Sequence, residues 1–220
     1  MSTRKLVETD AEQALLEELI ESVKPPDVTA GRMHYLLFTP FRYPPLGHGS
    51  RFGGRFERGI WYGSETERGA LAEVAYYRLL FLEGTRADLA LLTVLLTSFV
   101  IRVRTANGID LVAPPFASYC SVISSPASYA ASQALGSAMR EAGVEAFRYG
   151  SARDVQGGTN VGVFSPRAFG RNRPKRFETW HCVATRERVE VRKLDWFERV
   201  THTFPRSDFL VSGQLPAPAL

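Results

Sequence analysis

Apolar residues recur at helical spacing in three parts of the chain, at residues 10–23, 64–82 and 125–143. Ser64, with Glu67 three residues later, matches a capping box at the start of the second part. The third part ends at a glycine, which is a common helix stop. We therefore predict an accessory N-terminal helix and two helices further along the chain.

Segments rich in β-branched and aromatic residues, which favour strands, lie outside these helices. They are residues 33–38, 59–63, 89–104, 144–149, 161–165, 177–184 and 188–193. The stretch over 89–104 has the length of one bent strand or two short ones. Helices and strands do not alternate regularly, so the pattern predicts a mixed α+β fold. Residues 40–59, rich in glycine and proline, are predicted to form a long binding loop.

The length of 220 residues favours one domain with a short helical preface. We predict an accessory segment over residues 1–30, the main domain over 31–205 and a loosely ordered tail over 206–220. The longest apolar stretch, residues 89–103, is interrupted by polar side chains, and residues 1–24 lack the apolar core of a signal peptide. A cytoplasmic location without membrane contact is therefore expected.

The charge balance favours an anionic partner. Lysine and arginine number 27 against 23 aspartate and glutamate, which gives a formal net charge of +4. This balance suits an anionic small ligand as well as nucleic acid, and the predominance of arginine favours recognition of phosphate or carboxylate groups. Two cysteines and four histidines show no metal-ligand spacing, so neither a disulfide framework nor a metal site is predicted.

The glycine-rich segment at residues 49–56 carries two arginines four positions apart, Arg51 and Arg55. Arginine forks, together with backbone N–H groups that glycine leaves accessible, can hold a phosphate-bearing ligand. The glycine spacing does not match the fingerprint of a dinucleotide-binding loop. The alternative interpretation is a surface loop whose arginines are solvated.

A second candidate pair is Tyr62, in a predicted aromatic strand, and Glu73, on the helix that follows. Glu73 shares a helix face with Ala70, Tyr77 and Leu80, which lie three, four and seven positions away. A carboxylate on such a largely apolar face is partly desolvated, and an arginine of the glycine-rich segment could balance its charge. The alternative is a glutamate that merely lies at the helix surface.

A third segment places Ser151 and Arg153 after a predicted strand and Asn160 at the start of the next strand. Ser151 lacks the nucleophile elbow of a serine hydrolase and has no His and Asp in triad order, so a hydrolase triad is not supported. An ordinary strand-loop-strand unit is the alternative interpretation.

In this order, the segments GSRFGGRFERGIWYGS, ALAEVAYYR, SPASYAASQALG, YGSAR and GGTNVGVF resemble the RES domain. This domain is the toxin half of a bacterial toxin–antitoxin pair whose antitoxin is Xre-like. The resemblance runs from about Tyr35 to Ser165. The family's arginine, tyrosine, glutamate and serine match Arg51 or Arg55, Tyr62, Glu73 and Ser151.

The resemblance implies a mixed β-sandwich core similar to ADP-ribosyltransferases, with flanking helices, and an enzyme that cleaves the nicotinamide–ribose bond of NAD. NAD would be the substrate, and no metal is implied. Glu73 would stabilise positive charge on the ribose, and Tyr62 would stack on the nicotinamide or the ribose. The residues implied in binding or catalysis are Arg42, Arg51, Arg55, Ser151, Arg153 and Asn160. Water, phosphate and a protein side chain remain open as acceptors of the ADP-ribose.

The resemblance also implies an Xre-like antitoxin as protein partner, with nucleic acid contacted only through that antitoxin, and a homodimer remains open. A different class of protein is the main alternative. The basic run RNRPKR at residues 171–176, together with Arg51 and Arg55, could belong to a protein that binds RNA or DNA. A solvated loop also explains that run.

Overall fold

The computed structural model describes residues 33–43, 47–87 and 89–217, together with residues 9, 11, 12, 14 and 15. Backbone contacts divide the chain into two units, residues 1–32 and residues 33–220. In the first unit the four described residues between 11 and 15 are helical. The hydroxyl of Thr9 accepts a hydrogen bond from the backbone of Glu12, and the Glu12 carboxylate accepts one from the backbone of Thr9. The rest of the predicted helix over 10–23 lies outside the described residues.

Two four-stranded sheets form the second unit. The first sheet contains β1 (Trp61–Ser64), β3 (Gly108–Asp110), β4 (Ala146–Gly150) and β5 (Thr159–Val163). Its strand order is β1-β5-β4-β3, in which only β3 and β4 are parallel. The second sheet is antiparallel throughout, with the order β2-β6-β7-β8. Its strands are β2 (Leu92–Val100), β6 (Lys175–Ala184), β7 (Arg188–Lys193) and β8 (Thr201–Pro205).

The described part of this unit contains four α-helices: α1 (Tyr35–Arg42), α2 (Glu67–Gly84), α3 (Cys120–Ile123) and α4 (Ala130–Glu141). Together with the two sheets they confirm the predicted α+β class. No helix among the described residues is long and apolar enough to cross a membrane.

Helix α2 buries one face against the second sheet and so fixes the direction of its opposite face. Leu71, Ala75, Leu79 and Leu82 pack with Trp180 and neighbouring strand residues in one hydrophobic cluster. Burial of each such leucine contributes about 1.5–3 kcal/mol. Glu73 lies outside this buried face and contacts Asn160 of the first sheet.

The two faces of the first sheet pack against different parts of the chain. On one face, Tyr62 and Phe147 pack in a cluster with Phe52 of the glycine-rich segment. On the other face, Trp61 and Val163 pack with α1. Adjacent strand residues point to opposite faces, so the neighbours Trp61 and Tyr62 lie in different hydrophobic clusters.

The prediction of a strand at residues 33–38 is wrong, because this segment contains the start of helix α1 at Tyr35. His34 caps the helix through its Nδ1, which accepts a hydrogen bond from the Leu36 backbone N–H at 3.3 Å. Leu37 and Phe41, four positions apart, are both buried beside the first sheet. This tertiary packing overrides the strand preference of a short apolar run.

The cap of α2 also differs from the prediction. Thr66, and not Ser64, caps this helix, because the Thr66 hydroxyl accepts a hydrogen bond from the Gly69 backbone N–H at 3.1 Å. Ser64 is the last residue of β1, and its hydroxyl donates to the Thr159 backbone carbonyl at 3.2 Å. The third predicted helix is shorter than expected, since α4 begins only at Ala130.

Residues 206–217 do not form the loosely ordered tail that was expected. A short 3₁₀-helix spans Arg206–Phe209, and Phe209 and Leu215 are buried in the cluster around α2. The hydroxyl of Tyr76 donates a hydrogen bond to the Pro216 carbonyl. Two buried apolar side chains and one buried hydroxyl therefore hold this segment against the core.

Two of the observed strands, β3 and β8, were not predicted from the sequence.

We expect Gly136→Ala to destabilise the protein, although alanine is intrinsically the better helix former by about 1 kcal/mol. A Cβ at Gly136 of α4 would lie 1.9 Å from the backbone oxygen of Phe52, so the backbone beside Arg51 would have to move. Overpacking of this kind costs about 1–3 kcal/mol, measurable by denaturant unfolding. Gly84→Ala is the matched control, because nothing lies within 4 Å of that position. Equal stability of the two variants would contradict the close contact.

Candidate active site

A groove between the glycine-rich segment, the first sheet and α2 brings together four of the eight predicted site residues. Arg51, Tyr62, Glu73 and Asn160 line it. Three of them come from consecutive elements, the glycine-rich segment, β1 and α2, whereas Asn160 comes from β5, far along the chain. The packing of α2 and of the first sheet therefore creates the arrangement.

The Glu73 carboxylate is fixed through one of its two oxygens. Its Oε1 accepts hydrogen bonds from the Ser151 hydroxyl at 3.2 Å and from the Asn160 side-chain amide at 2.8 Å. Within the described residues, Oε2 makes no hydrogen bond. Two donors thus set the carboxylate's orientation and leave one oxygen available to a bound molecule.

Ser151 has a defined role in this arrangement. Its oxygen accepts hydrogen bonds from the backbone N–H groups of Arg153 and Asp154 at 3.2 and 3.1 Å. Because these donors occupy the lone pairs of the oxygen, the hydroxyl proton points to Glu73. Ser151 is held as a donor to a carboxylate, which agrees with the absence of a hydrolase triad.

Asn160 is almost fully buried, with 1 % of its surface exposed. It pairs with Tyr149 and Ser64 in the first sheet, so the backbone fixes its position. Its amide nitrogen must face Glu73, because a carboxylate only accepts hydrogen bonds. The Oδ1 atom is then buried without a partner among the described residues. This oxygen can accept a hydrogen bond from a ligand.

Tyr62 is held by the glycine-rich segment. Its hydroxyl accepts a hydrogen bond from the Phe52 backbone N–H at 3.1 Å and shares one with the Ser50 hydroxyl at 2.9 Å. Burial raises the pKa of Tyr62 to about 12, although both hydrogen bonds and the nearby Arg51 act in the opposite direction. Tyr62 is therefore a neutral phenol at physiological pH and cannot serve as a base there.

The structure separates the two candidate arginines of the glycine-rich segment. Arg51 is 7 % exposed, donates to the Ser125 carbonyl at 2.7 Å and stacks 4.7 Å from the Tyr129 ring centre. Among the described residues, no carboxylate pairs with it. Arg55 is exposed and stacks on the exposed ring of Phe56, away from the groove. Of the two, only Arg51 lines the groove.

Arg153 is a second buried arginine, 3 % exposed. Its guanidinium carbon lies 3.6 Å from the centre of the Tyr76 ring, and Nη2 donates to the Pro126 carbonyl at 3.1 Å. Its Nη1 is buried without a hydrogen-bond partner in the described parts of the chain. Arg51 and Arg153 thus hold neighbouring carbonyls of one turn. Arg42 lies at the end of α1 and does not line the groove.

Two residues at this site were not predicted individually. Tyr129 stacks under Arg51, and Gln133 of α4 donates from its amide to the Ser50 and Gly53 carbonyls at 3.0 and 3.4 Å. Both fall in the segment SPASYAASQALG that carries part of the resemblance, but their contacts are more than 75 residues away in sequence. Within the described residues, no group of three His, Cys, Asp or Glu side chains could hold a metal ion.

The groove of this α+β protein is thus lined by an anchored glutamate, a buried arginine and a neutral tyrosine. The sequence profile of the RES domain matches residues 25–184, well over half of the chain. The chain therefore belongs to the RES domain family, as the resemblance of its motifs predicts. Membership is consistent with the toxin role and with the NAD-related enzyme activity that the resemblance implies. No curated protein matches the chain at a significant level.

We expect Tyr62 to make the protein's stability sensitive to alkaline pH. The folded-state pKa of about 12 exceeds the unfolded value of about 10. As pH rises above 10, the unfolded state releases this proton first, so the free energy of unfolding falls between pH 10 and 12. Tyr62→Phe removes this contribution, which is about 1–2 kcal/mol after allowance for solvent. Parallel unfolding curves of both proteins across that range, with equal pH dependence, would contradict the burial of this phenol.

Proposed function

We propose that this protein cleaves the nicotinamide–ribose bond of NAD and acts as an NAD glycohydrolase or phosphorylase. The observation that carries the proposal is the Glu73 carboxylate, held by Ser151 and Asn160 beside Arg51 and Tyr62. An anchored carboxylate with one available oxygen suits a reaction that develops positive charge on a sugar ring.

The bond that breaks joins the ribose C1′ to the nicotinamide nitrogen. Nicotinamide leaves with the bonding electron pair and becomes neutral, and the ribose acquires oxocarbenium character. The negative charge of Glu73 stabilises this character, and its Oε2 can orient the attacking group. Water as acceptor gives ADP-ribose and a proton, whereas phosphate gives ADP-ribose 1-phosphate.

The arginines support recognition of the pyrophosphate. Arg51 is buried at the groove without a carboxylate partner among the described residues, so its charge is available to an anionic ligand. A fork of N–H donors matches the oxygens of a pyrophosphate. Arg153, with one unpaired buried nitrogen, reinforces the positive potential below the same turn.

Tyr62 and Asn160 complete the proposed site. A neutral phenol with a fixed hydroxyl can stack its ring on the nicotinamide or the ribose. The buried Oδ1 of Asn160 accepts a hydrogen bond from the nicotinamide amide or from a ribose hydroxyl. These contacts hold the scissile bond close to Glu73, which raises the rate by orientation.

The alternative within this chemistry is an ADP-ribosyltransferase that modifies a protein. The same anchored glutamate serves both reactions, since they differ only in the acceptor. Incubation of the pure protein with NAD, with and without phosphate and with a protein mixture, separates the outcomes through the product. Free ADP-ribose, ADP-ribose 1-phosphate and ADP-ribosylated protein mark the three acceptors. Intact NAD with a folded protein would contradict the proposal.

We also propose that the protein is a toxin held inactive by an Xre-like antitoxin that covers the groove. An enzyme that depletes NAD in its own cell needs such control. Expression of the chain alone is expected to arrest growth, and co-expression of the antitoxin is expected to restore it. Glu73→Gln is expected to abolish the arrest. Harmless high-level expression of an active enzyme would contradict the toxin role.

A further inference from the structure

A row of aromatic rings lies at the surface on the side of the first sheet that carries α1. Tyr35 stacks on His34 at 4.8 Å, His34 lies 6.1 Å from Phe177, and Phe177 lies 6.1 Å from Phe99. Two of these four rings are well exposed, Tyr35 by 61 % and Phe177 by 52 %. The row therefore presents aromatic surface to solvent.

A group of exposed cations adjoins this row. Residues 99–106 and 165–177 contain no aspartate or glutamate. Apart from Arg176, whose charge acts on Glu178, their exposed basic residues are Arg102, Arg104, Arg167, Arg171, Arg173 and Lys175. We call these six residues, together with the four aromatic residues of the row, the basic-aromatic surface.

The backbone holds the parts of this surface together. Gly170 donates to the Arg102 carbonyl at 2.8 Å, and the Arg104 N–H donates to the Ala168 carbonyl at 2.7 Å. The His34 N–H donates to the Asn172 carbonyl at 2.8 Å. Backbone hydrogen bonds thus join residues 99–106 to residues 165–177, and residues 165–177 to the aromatic row at His34.

The cations of the basic-aromatic surface are not neutralised within the protein. In the described parts of the chain none of the six forms an ion pair with a carboxylate, whereas Arg148, Arg188 and Arg206 do. Clustering of like charges is unfavourable in an isolated protein, and an anionic partner relieves it. Ile101 and Val103 pack inward, so Arg102 and Arg104 project outward about 6.6 Å apart along the chain.

We propose that the basic-aromatic surface binds single-stranded nucleic acid. Cations that follow a phosphate backbone, combined with exposed rings on which bases stack, are the two components of such binding. A duplex would use the cations alone, because its bases are already stacked on each other. The exposed rings of Tyr35 and Phe177 therefore favour a single strand.

Of the residues of this surface, only Phe99 and Arg104 also line the groove of the proposed NAD site. Trp61 and α1 lie on one face of the first sheet, whereas Tyr62 and Phe147 lie on the other. Binding of nucleic acid thus needs neither Glu73 nor Arg51, and the two proposals can fail independently.

The test measures binding of fluorescent RNA and DNA strands of about 12 nucleotides, and of the matching duplex, to the full chain over a range of salt concentrations. One variant removes rings and another removes charge, and each has a control with the same number of substitutions elsewhere on the surface. The ring pair is Tyr35→Ala with Phe177→Ala, against Phe81→Ala with Trp196→Ala. The charge set is Arg102→Gln, Arg171→Gln and Arg173→Gln, against Arg86→Gln, Arg192→Gln and Arg199→Gln.

The two variants should fail in different ways. Removal of the rings is expected to weaken single-strand binding about 5- to 100-fold per stacked base without a change in salt dependence. Removal of the three charges should lower the slope of log affinity against log salt by about 2 for a single strand. Both controls should bind like the unchanged protein, and thermal midpoints and NAD turnover should be the same in all proteins.

Comparison of the RNA and DNA strands shows which of the two the surface prefers, and stronger binding of either one than of the duplex supports the proposal. Tight duplex binding that is insensitive to the ring variant would overturn it, as would equal losses in the control variants. Absence of single-strand binding at about 50 mM salt would also overturn it, whatever the result with NAD.

Discussion

Glu73→Gln is expected to lower NAD turnover about 10²–10³-fold, because it removes the charge that stabilises the oxocarbenium-like transition state. Glutamine has nearly the same shape, and its carbonyl oxygen can still accept the hydrogen bonds that Ser151 and Asn160 donate to Oε1. The folded state loses a partly buried charge, so its thermal midpoint should be unchanged or higher.

The measurement pairs NAD turnover with thermal unfolding for both proteins. Glu141→Gln is the matched control, since Glu141 is an exposed residue of α4 outside the groove. It should alter neither quantity, because most exposed substitutions change stability by less than about 0.5 kcal/mol. A folded Glu73→Gln protein with full turnover would remove Glu73 from the mechanism and leave the proposed NAD cleavage without its main support.

Local sequence patterns predicted much of the fold because they depend on contacts near in sequence. The strands at residues 59–63, 144–149 and 188–193 match β1, β4 and β7 closely. The bend expected within 89–104 coincides with the register shift between Ser98 and Val100. In each case the strand is predicted by the alternation of apolar and polar side chains and by the turn residues on either side of it.

Other elements depend on partners far away in the chain. β3 has only three residues and exists because it pairs with β4, nearly 40 residues later. The strand predicted at residues 33–38 became α1 because Leu37 and Phe41 bury against the first sheet. Short apolar runs fit either conformation, and tertiary packing decides between them.

The candidate site, like the fold, was predicted in part from local motifs, and the rest of it depends on contacts between distant parts of the chain. The motifs indicated Tyr62, Glu73 and Ser151, and the structure brings Glu73 and Ser151 into hydrogen-bonding distance across 78 positions. The choice between Arg51 and Arg55 was beyond the sequence, because both follow glycine or serine and precede phenylalanine. Only the packing of the glycine-rich segment against α4 and Tyr62 buries one and exposes the other.

Arg51 has two roles, one in holding a turn and one proposed in ligand binding, and its replacement by alanine removes both. Its guanidinium anchors the turn at Ser125 and stacks on Tyr129, and the same group carries the charge that we assign to pyrophosphate binding. Arg153 holds Pro126 in the same turn. The turn therefore retains one anchor when Arg51 is replaced, and the binding role can be examined in a folded protein.

Arg51→Ala is expected to weaken NAD binding about 10- to 150-fold, which corresponds to a charge-assisted hydrogen bond of about 1.5–3 kcal/mol. Arg55→Ala, its matched control four residues away, should change binding by less than about twofold because Arg55 is exposed on Phe56. Binding is best measured by calorimetry in the Glu73→Gln protein, so that NAD is not consumed.

Arg51→Lys distinguishes the planar fork from the charge alone. Lysine keeps the positive charge but cannot donate two parallel hydrogen bonds, so we expect affinity between those of the unchanged protein and Arg51→Ala. Thermal midpoints of all variants identify any loss that comes from the turn at Ser125 instead of from the ligand. A larger loss for Arg55→Ala than for Arg51→Ala would reverse the assignment. It would place the pyrophosphate at the exposed end of the glycine-rich segment, where the guanidinium of Arg55 lies 4.4 Å from the Phe56 ring centre.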